Sequence, residues 1–150
     1  MTIRLRSFYY SPGYCDMMGG GHSTSLERGK NGEWMFVSRD REDHSALTVV
    51  STYEVSAASI AEFESFINKK RVVSLAKRPK SDLFVTDYSP WNYSIEYEKT
   101  LFGKTRRVYC GITEFKKYSK KDQALIKELH DRFAALRGQL LSQTVEADED

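Results

Sequence analysis

At 150 residues and 17.3 kDa the chain has the size of one domain, long enough to bury about two thirds of the surface its unfolded form exposes. Hydrophobic residues at 40% and aromatics at 13% suffice for one core, and the chain contains no apolar run of about 18 residues that would span a bilayer. Basic and acidic residues stand at 23 against 21, but Glu146, Asp148, Glu149 and Asp150 lie in the last five positions; without them 23 face 17, and the body carries +6, mildly basic and short of the dense charge of nucleic-acid-binding domains.

From Ile3 to Tyr10 the pattern has the period of a strand, with Ile3, Leu5, Ser7 and Tyr9 on one side and Arg4, Arg6, Phe8 and Tyr10 on the other. Ser11-Pro12-Gly13 ends it. After Gly19-Gly20-Gly21 a second strand is expected at 22–28, and Lys30-Asn31-Gly32 supplies the turn of a hairpin into a third at 34–39. Leu47, Val49, Ser51, Tyr53 and Val55 again alternate. Ser56 then suits a helix N-cap, with Val55 and Ile60 placed as a hydrophobic staple. Ile60, Phe63, Phe66 and Ile67 form the apolar stripe of that helix, and Lys69, Lys70 and Arg71 favour its negative end.

Further strands are expected at 83–87, 92–98 and 105–112, the last placing Val108, Cys110 and Ile112 on one face. Ser119 and Asp122 resemble a capping box, and Leu125, Leu129, Phe133, Leu136 and Leu140 mark a long amphipathic helix, with Glu128 and Arg132 one turn apart. The resulting class is α+β: an antiparallel sheet of about seven strands, in the order four strands, helix, three strands, helix, with both helices on one face. Residues 1–145 form a single domain and 146–150 a disordered acidic tail. The alternating N-terminus lacks the apolar segment of a signal peptide, so a cytoplasmic location is expected.

Two cysteines, Cys15 and Cys110, are too few for a disulfide framework. The irregular segment 14–22 is the first candidate ligand site. Gly19, Gly20 and Gly21 permit close approach to backbone, beside Tyr14, Asp16 and His22. It does not open a helix as a phosphate-binding loop does. His22, His44, Asp16 and Asp43 lack metal-ligand spacing, and His130 stands apart on the last helix, so neither a metal nor a cofactor is expected. A Cys15 nucleophile with a histidine base has no supporting pattern, and no catalytic residue is assigned.

Two surfaces complete the candidates. Tyr88, Trp91 and Tyr93 around Pro90 suit an anchor for a protein partner. Arg4, Arg6, Tyr10, Arg107 and Tyr109 would share the sheet face away from the helices, mixing cations with rings as single-strand nucleic-acid binders do.

An N-terminal strand, the Gly19-Gly20-Gly21 turn into Ser23-Thr24-Ser25-Leu26, Tyr53-Glu54-Val55-Ser56 before a helix, and Pro79-Lys80-Ser81-Asp82 ahead of a strand at Tyr93-Ser94-Ile95-Glu96-Tyr97 together resemble a group of small bacterial domains of unknown function, over residues 3–98. The resemblance implies no activity, cofactor or site residue. Several such domains sit in exported proteins, a pattern from which this N-terminus departs.

The expectation is a non-enzymatic binding or regulatory module acting through protein–protein contact, with no membrane partner. It forms a homodimer through the C-terminal helix end, where Leu140 and Leu141 follow Gly138, or through an open sheet edge. The alternatives are single-stranded nucleic-acid binding on the basic, aromatic face and an enzyme built on residues 16–22.

Overall fold

The computed structural model describes residues 2–12, 21–41, 47–81 and 92–146. The described residues contain seven strands: β1 (Ile3–Ser11), β2 (Gly21–Arg28), β3 (Trp34–Arg41), β4 (Thr48–Glu54), β5 (Asn92–Leu101), β6 (Lys104–Thr113) and β7 (Leu140–Glu146). Helix α1 (Ala57–Lys69) follows β4, and α2 (Lys120–Ala134) lies between β6 and β7. Short 3₁₀ segments occupy Val72–Lys77 and Phe115–Lys117. The strands form one sheet in the order β6-β5-β1-β2-β3-β4-β7, and every neighbouring pair is antiparallel. The class is therefore α+β, and no described helix is long and apolar enough to cross a membrane.

Local chemistry sets the boundaries. Gly32, at φ 81°, turns β2 into β3 in a conformation that costs a residue without Cβ little. Ser56 caps α1 by accepting from the Ser59 amide at 3.1 Å. Ser119 does the same for α2 with Asp122 at 3.2 Å, and the expected Glu128–Arg132 pair stands at 3.5 Å. Asp122 is buried and accepts from Arg78, which ties the first 3₁₀ segment to α2.

The core lies on one face of the sheet. Leu5, Phe8, Leu26, Phe36, Ile95 and Ile112 meet Phe63 and Ile67 of α1 and Leu129 and Phe133 of α2. The Phe8 ring centre is 5.2 Å from that of Phe63 and 4.7 Å from that of Phe133, so a single sheet residue touches both helices. Val72 and Leu75 of the 3₁₀ segment are fully buried in the same layer, a contribution that periodicity did not suggest.

A bulge corrects the expected phase of β1. The β1–β5 register shifts between Leu5 and Ser7, and the extra residue rotates everything after it to the other face. Phe8 is therefore buried and Tyr10 packs against the core, while Tyr9 faces solvent, the reverse of simple alternation from Ile3. The bulge also separates the first half of β1 from β2, whose ladder covers only Phe8, Tyr9 and Tyr10. Helix α1 fills the gap. Asn68 Oδ1 accepts from the Ile3 amide at 2.7 Å, Asn68 Nδ2 donates to the Ile3 carbonyl at 3.1 Å, and Glu64 accepts from the Leu5 amide at 2.9 Å. Side chains thus satisfy backbone groups that would otherwise be left unpaired.

The C-terminus departs most from expectation. Helix α2 ends at Ala134 with Ala135 as its cap, rather than continuing to Leu140. Gly138 donates to the Glu54 carbonyl and Glu54 donates to that of Gln139, both at 2.8 Å, which starts β7 alongside β4. A Cβ on Gly138 would stand 2.5 Å from the Glu54 carbonyl oxygen, so only glycine permits this approach. Leu140 and Leu141 belong to an edge strand and not to a helix overhang. β7 closes with Glu146, while residues 147–150 and the strand expected at 83–87 lie outside the described residues. The described order is four strands, helix, two strands, helix, strand.

Candidate functional site

The first candidate site lies where β1 and β3 end and β2 and β5 begin. Of the expected ligand residues, Gly21 and His22 open β2, whereas Tyr14, Asp16, Gly19 and Gly20 lie outside the described residues, as do Cys15, Asp43 and His44. His22 pairs in register with Asp40 of β3, and its Nδ1 contacts the Asp40 carboxylate, with both side chains about half exposed. Ser38 donates to the other oxygen of that carboxylate at 3.1 Å. Ser38 is thus bound to the acid rather than aimed at the imidazole, so these three residues lack the nucleophile–base order of a hydrolytic triad. Among the described residues no group of three His, Cys, Asp or Glu side chains is placed to hold a metal ion.

Beside this pair, an aromatic group fills the end of the core. Tyr93 is fully buried and its hydroxyl meets His130 Nδ1 at 2.5 Å. Tyr10 stacks on Tyr93 at 4.6 Å between ring centres and meets the His130 ring edge at 4.9 Å. Burial pushes the Tyr93 phenol far above its ordinary value, with Tyr10 and Asp131 adding to the shift, so it remains neutral. Tyr93 presents no surface to a partner, and Tyr88 and Trp91, the other expected anchors, lie outside the described residues. His130 joins this group through position on α2 alone.

The opposite face of the sheet carries the expected cations, but carboxylates interleave with them. Arg6 pairs with Glu98 at 3.2 Å and Arg107 with Glu96 at 3.2 Å, while Arg4 is exposed opposite Glu98 in register. Tyr109 is 71% exposed on this face, but Tyr10 is on the other side, turned there by the bulge. β5 thus inserts two acids between the arginines of β1 and β6, an arrangement that sequence separation conceals. Further along, Arg39 donates to Glu27 at 2.7 Å, and Ser25 donates to the same carboxylate.

This last cluster has a pH signature. Burial raises the Glu27 pKa, but the hydrogen bonds from Arg39 and Ser25 and the Arg39 charge outweigh it and hold the carboxyl below its ordinary value. A carboxyl lowered in the folded state contributes stability above the unfolded value of about 4.3, and loses that contribution as pH falls through the lower folded value. Thermal unfolding followed through that acid range is expected to show a smaller pH dependence for Glu27→Gln than for the native chain. Equal dependence would contradict the assignment. The Cys110 thiol is pushed up to about 11 by burial, against a small opposing effect of Lys77, so it stays protonated at neutral pH and is a poor nucleophile.

Among the described residues the sheet ends at β6 on one side and at β7 on the other, and the two edges differ. On β6, Lys104, Arg106 and Arg107 lie exposed along the strand. On β7 all seven residues are exposed and Glu146 is the one charge. Leu140 is 49% exposed, and Leu141 and Val145 are 58% exposed. No family model, curated protein or solved structure matches the chain.

Proposed function

We propose that the chain is a non-enzymatic binding module acting through protein–protein contact, and that a second copy joins it by adding its own β7 antiparallel to this one. The contrast between the edges supports this reading. An edge strand exposes unpaired amides and carbonyls that natural proteins guard with charge, bulges or covering elements. β6 has three cations along it, whereas β7, beyond one register shift against β4 at Leu141, presents exposed leucine and valine beside a single acid.

The β7 sequence is also complementary to itself. Antiparallel pairing on a two-fold axis at Gln143 sets Ser142 opposite Thr144 of the second copy and brings Leu141, the residue at which the β4–β7 register shifts, alongside Val145 twice. Leu140 then faces Glu146, and no charges of like sign are opposed. The hydrophobic contacts repeat on both sides of the axis. On the helix-bearing side, Val145 pairs in register with Val49 and the exposed Leu47 lies just before β4, which extends the apolar strip inward.

Sedimentation velocity tests the proposal. The native chain is expected to sediment as a dimer, and Val145→Lys, which sets two cations against the facing leucines, as a folded monomer whose unfolding midpoint no longer depends on protein concentration. A native chain that remains monomeric across the accessible concentrations would overturn the proposal.

A further inference from the structure

The β5–β6 hairpin breaks two local rules at once. Its turn, Phe102-Gly103, has φ of 54° and 76°, the pattern of a turn that favours asparagine, aspartate or glycine at both positions. A phenylalanine there is strained, and Phe102 is 94% exposed, so no packing within the fold compensates. At the third ladder pair behind the turn, Lys99 and Arg106 are directly opposed, a like-charge pairing that destabilises a sheet. Lys104 adds a third cation. Among the described residues none of these three forms an ion pair, whereas Arg107 is held by Glu96. Residues 100–107 are exposed throughout and contain no acid. Strain, exposed aromatic surface and uncompensated positive charge on one arm are the marks of a binding element whose partner supplies what the fold omits.

We propose that the β5–β6 hairpin binds single-stranded nucleic acid, with Phe102 stacking on a base while Lys99, Lys104 and Arg106 hold the adjacent phosphates. A polyanion relieves the Lys99–Arg106 repulsion, and a free base supplies the flat apolar partner that Phe102 lacks. Tyr109, 71% exposed further along β6, lies on the other face of the sheet beside Glu96 and is not part of this arm. An anionic lipid surface fits less well. It supplies the negative charge but no flat ring on which Phe102 could stack. A strand of nucleotides offers both a base for Phe102 and phosphates for Lys99, Lys104 and Arg106, which share one face of the hairpin. This arm differs from the sheet face, where Glu96 and Glu98 neutralise Arg107 and Arg6, and it does not depend on association through β7.

Fluorescence anisotropy with labelled oligothymidylate and oligouridylate, titrated at several salt concentrations, tests the proposal and separates DNA from RNA. Three phosphate contacts give a logarithmic salt slope of about −2. Phe102→Asn removes the ring while suiting the positive φ, so it is expected to weaken binding about tenfold with thermal stability equal to or above that of the native chain. Arg106→Glu is expected to weaken binding further and flatten the slope. No binding at low salt, or undiminished binding by Phe102→Asn, would overturn the proposal. So would binding to phosphatidylserine vesicles that neither oligonucleotide competes away.

Discussion

Replacing Phe8 with alanine is expected to lower stability by about 3–5 kcal/mol and the midpoint of thermal unfolding by about 10 °C or more. The residue is fully buried. Its ring lies 5.2 Å from Phe63, 4.7 Å from Phe133 and 5.4 Å from Tyr93, so truncation removes contacts to both helices and to the neighbouring strand together. The cavity would sit where the sheet, α1 and α2 meet, and the surrounding rings cannot collapse into it without moving a helix. Urea unfolding measures the effect. A loss below about 1 kcal/mol would mean that the site relaxes freely and that Phe8 is not the shared contact.

Gly138→Ala is expected to produce the second largest effect, by a different route. The added methyl would stand 2.5 Å from the Glu54 carbonyl oxygen, and that oxygen accepts from the Gly138 amide at 2.8 Å. Backbone cannot yield as a flexible side chain does, so the link between α2 and β7 must shift. Overpacking of this kind costs about 1–3 kcal/mol. The expected result is a modest fall in urea stability accompanied by loss of the dimer, because β7 no longer aligns with β4. Unchanged stability together with unchanged association would show that the close approach is dispensable.

Much of the fold was legible because its signals were local. Alternation placed β2, β3, β5 and β6, Asn31-Gly32 marked a turn, and Ser56 and Ser119 marked helix starts, since caps and turns depend on neighbouring residues. β7 was not legible, because Leu140 continues the spacing of Leu125, Leu129, Phe133 and Leu136 by one more helical step. What stops α2 is a contact with Glu54, some eighty positions away in sequence, which no periodicity records. The signal available was Gly138, which ends helices readily, followed by the β-favouring Thr144 and Val145.

The bulge in β1 was hidden for a similar reason. One inserted residue leaves no compositional trace, yet it decides that Phe8 and Tyr10 face the core and that Arg6 reaches Glu98. The basic face therefore read as more basic than it is: Arg4, Arg6 and Arg107 were visible in the sequence, but the register that sets Glu96 and Glu98 between them was not. Phe102 offered a clue in plain view, a bulky ring before Gly103 where a tight turn favours a small polar residue.

Amide hydrogen exchange of β7 as a function of protein concentration tests self-association at this edge most directly. In an antiparallel pair, alternate amides of β7 bond to β4 and the others point away from the sheet. In a dimer built on β7, the outward amides of residues 140–146 become protected as concentration rises, and Val145→Lys abolishes that protection. Exchange of β7 that is independent of concentration, in a native chain otherwise fully protected in its core, would contradict the account.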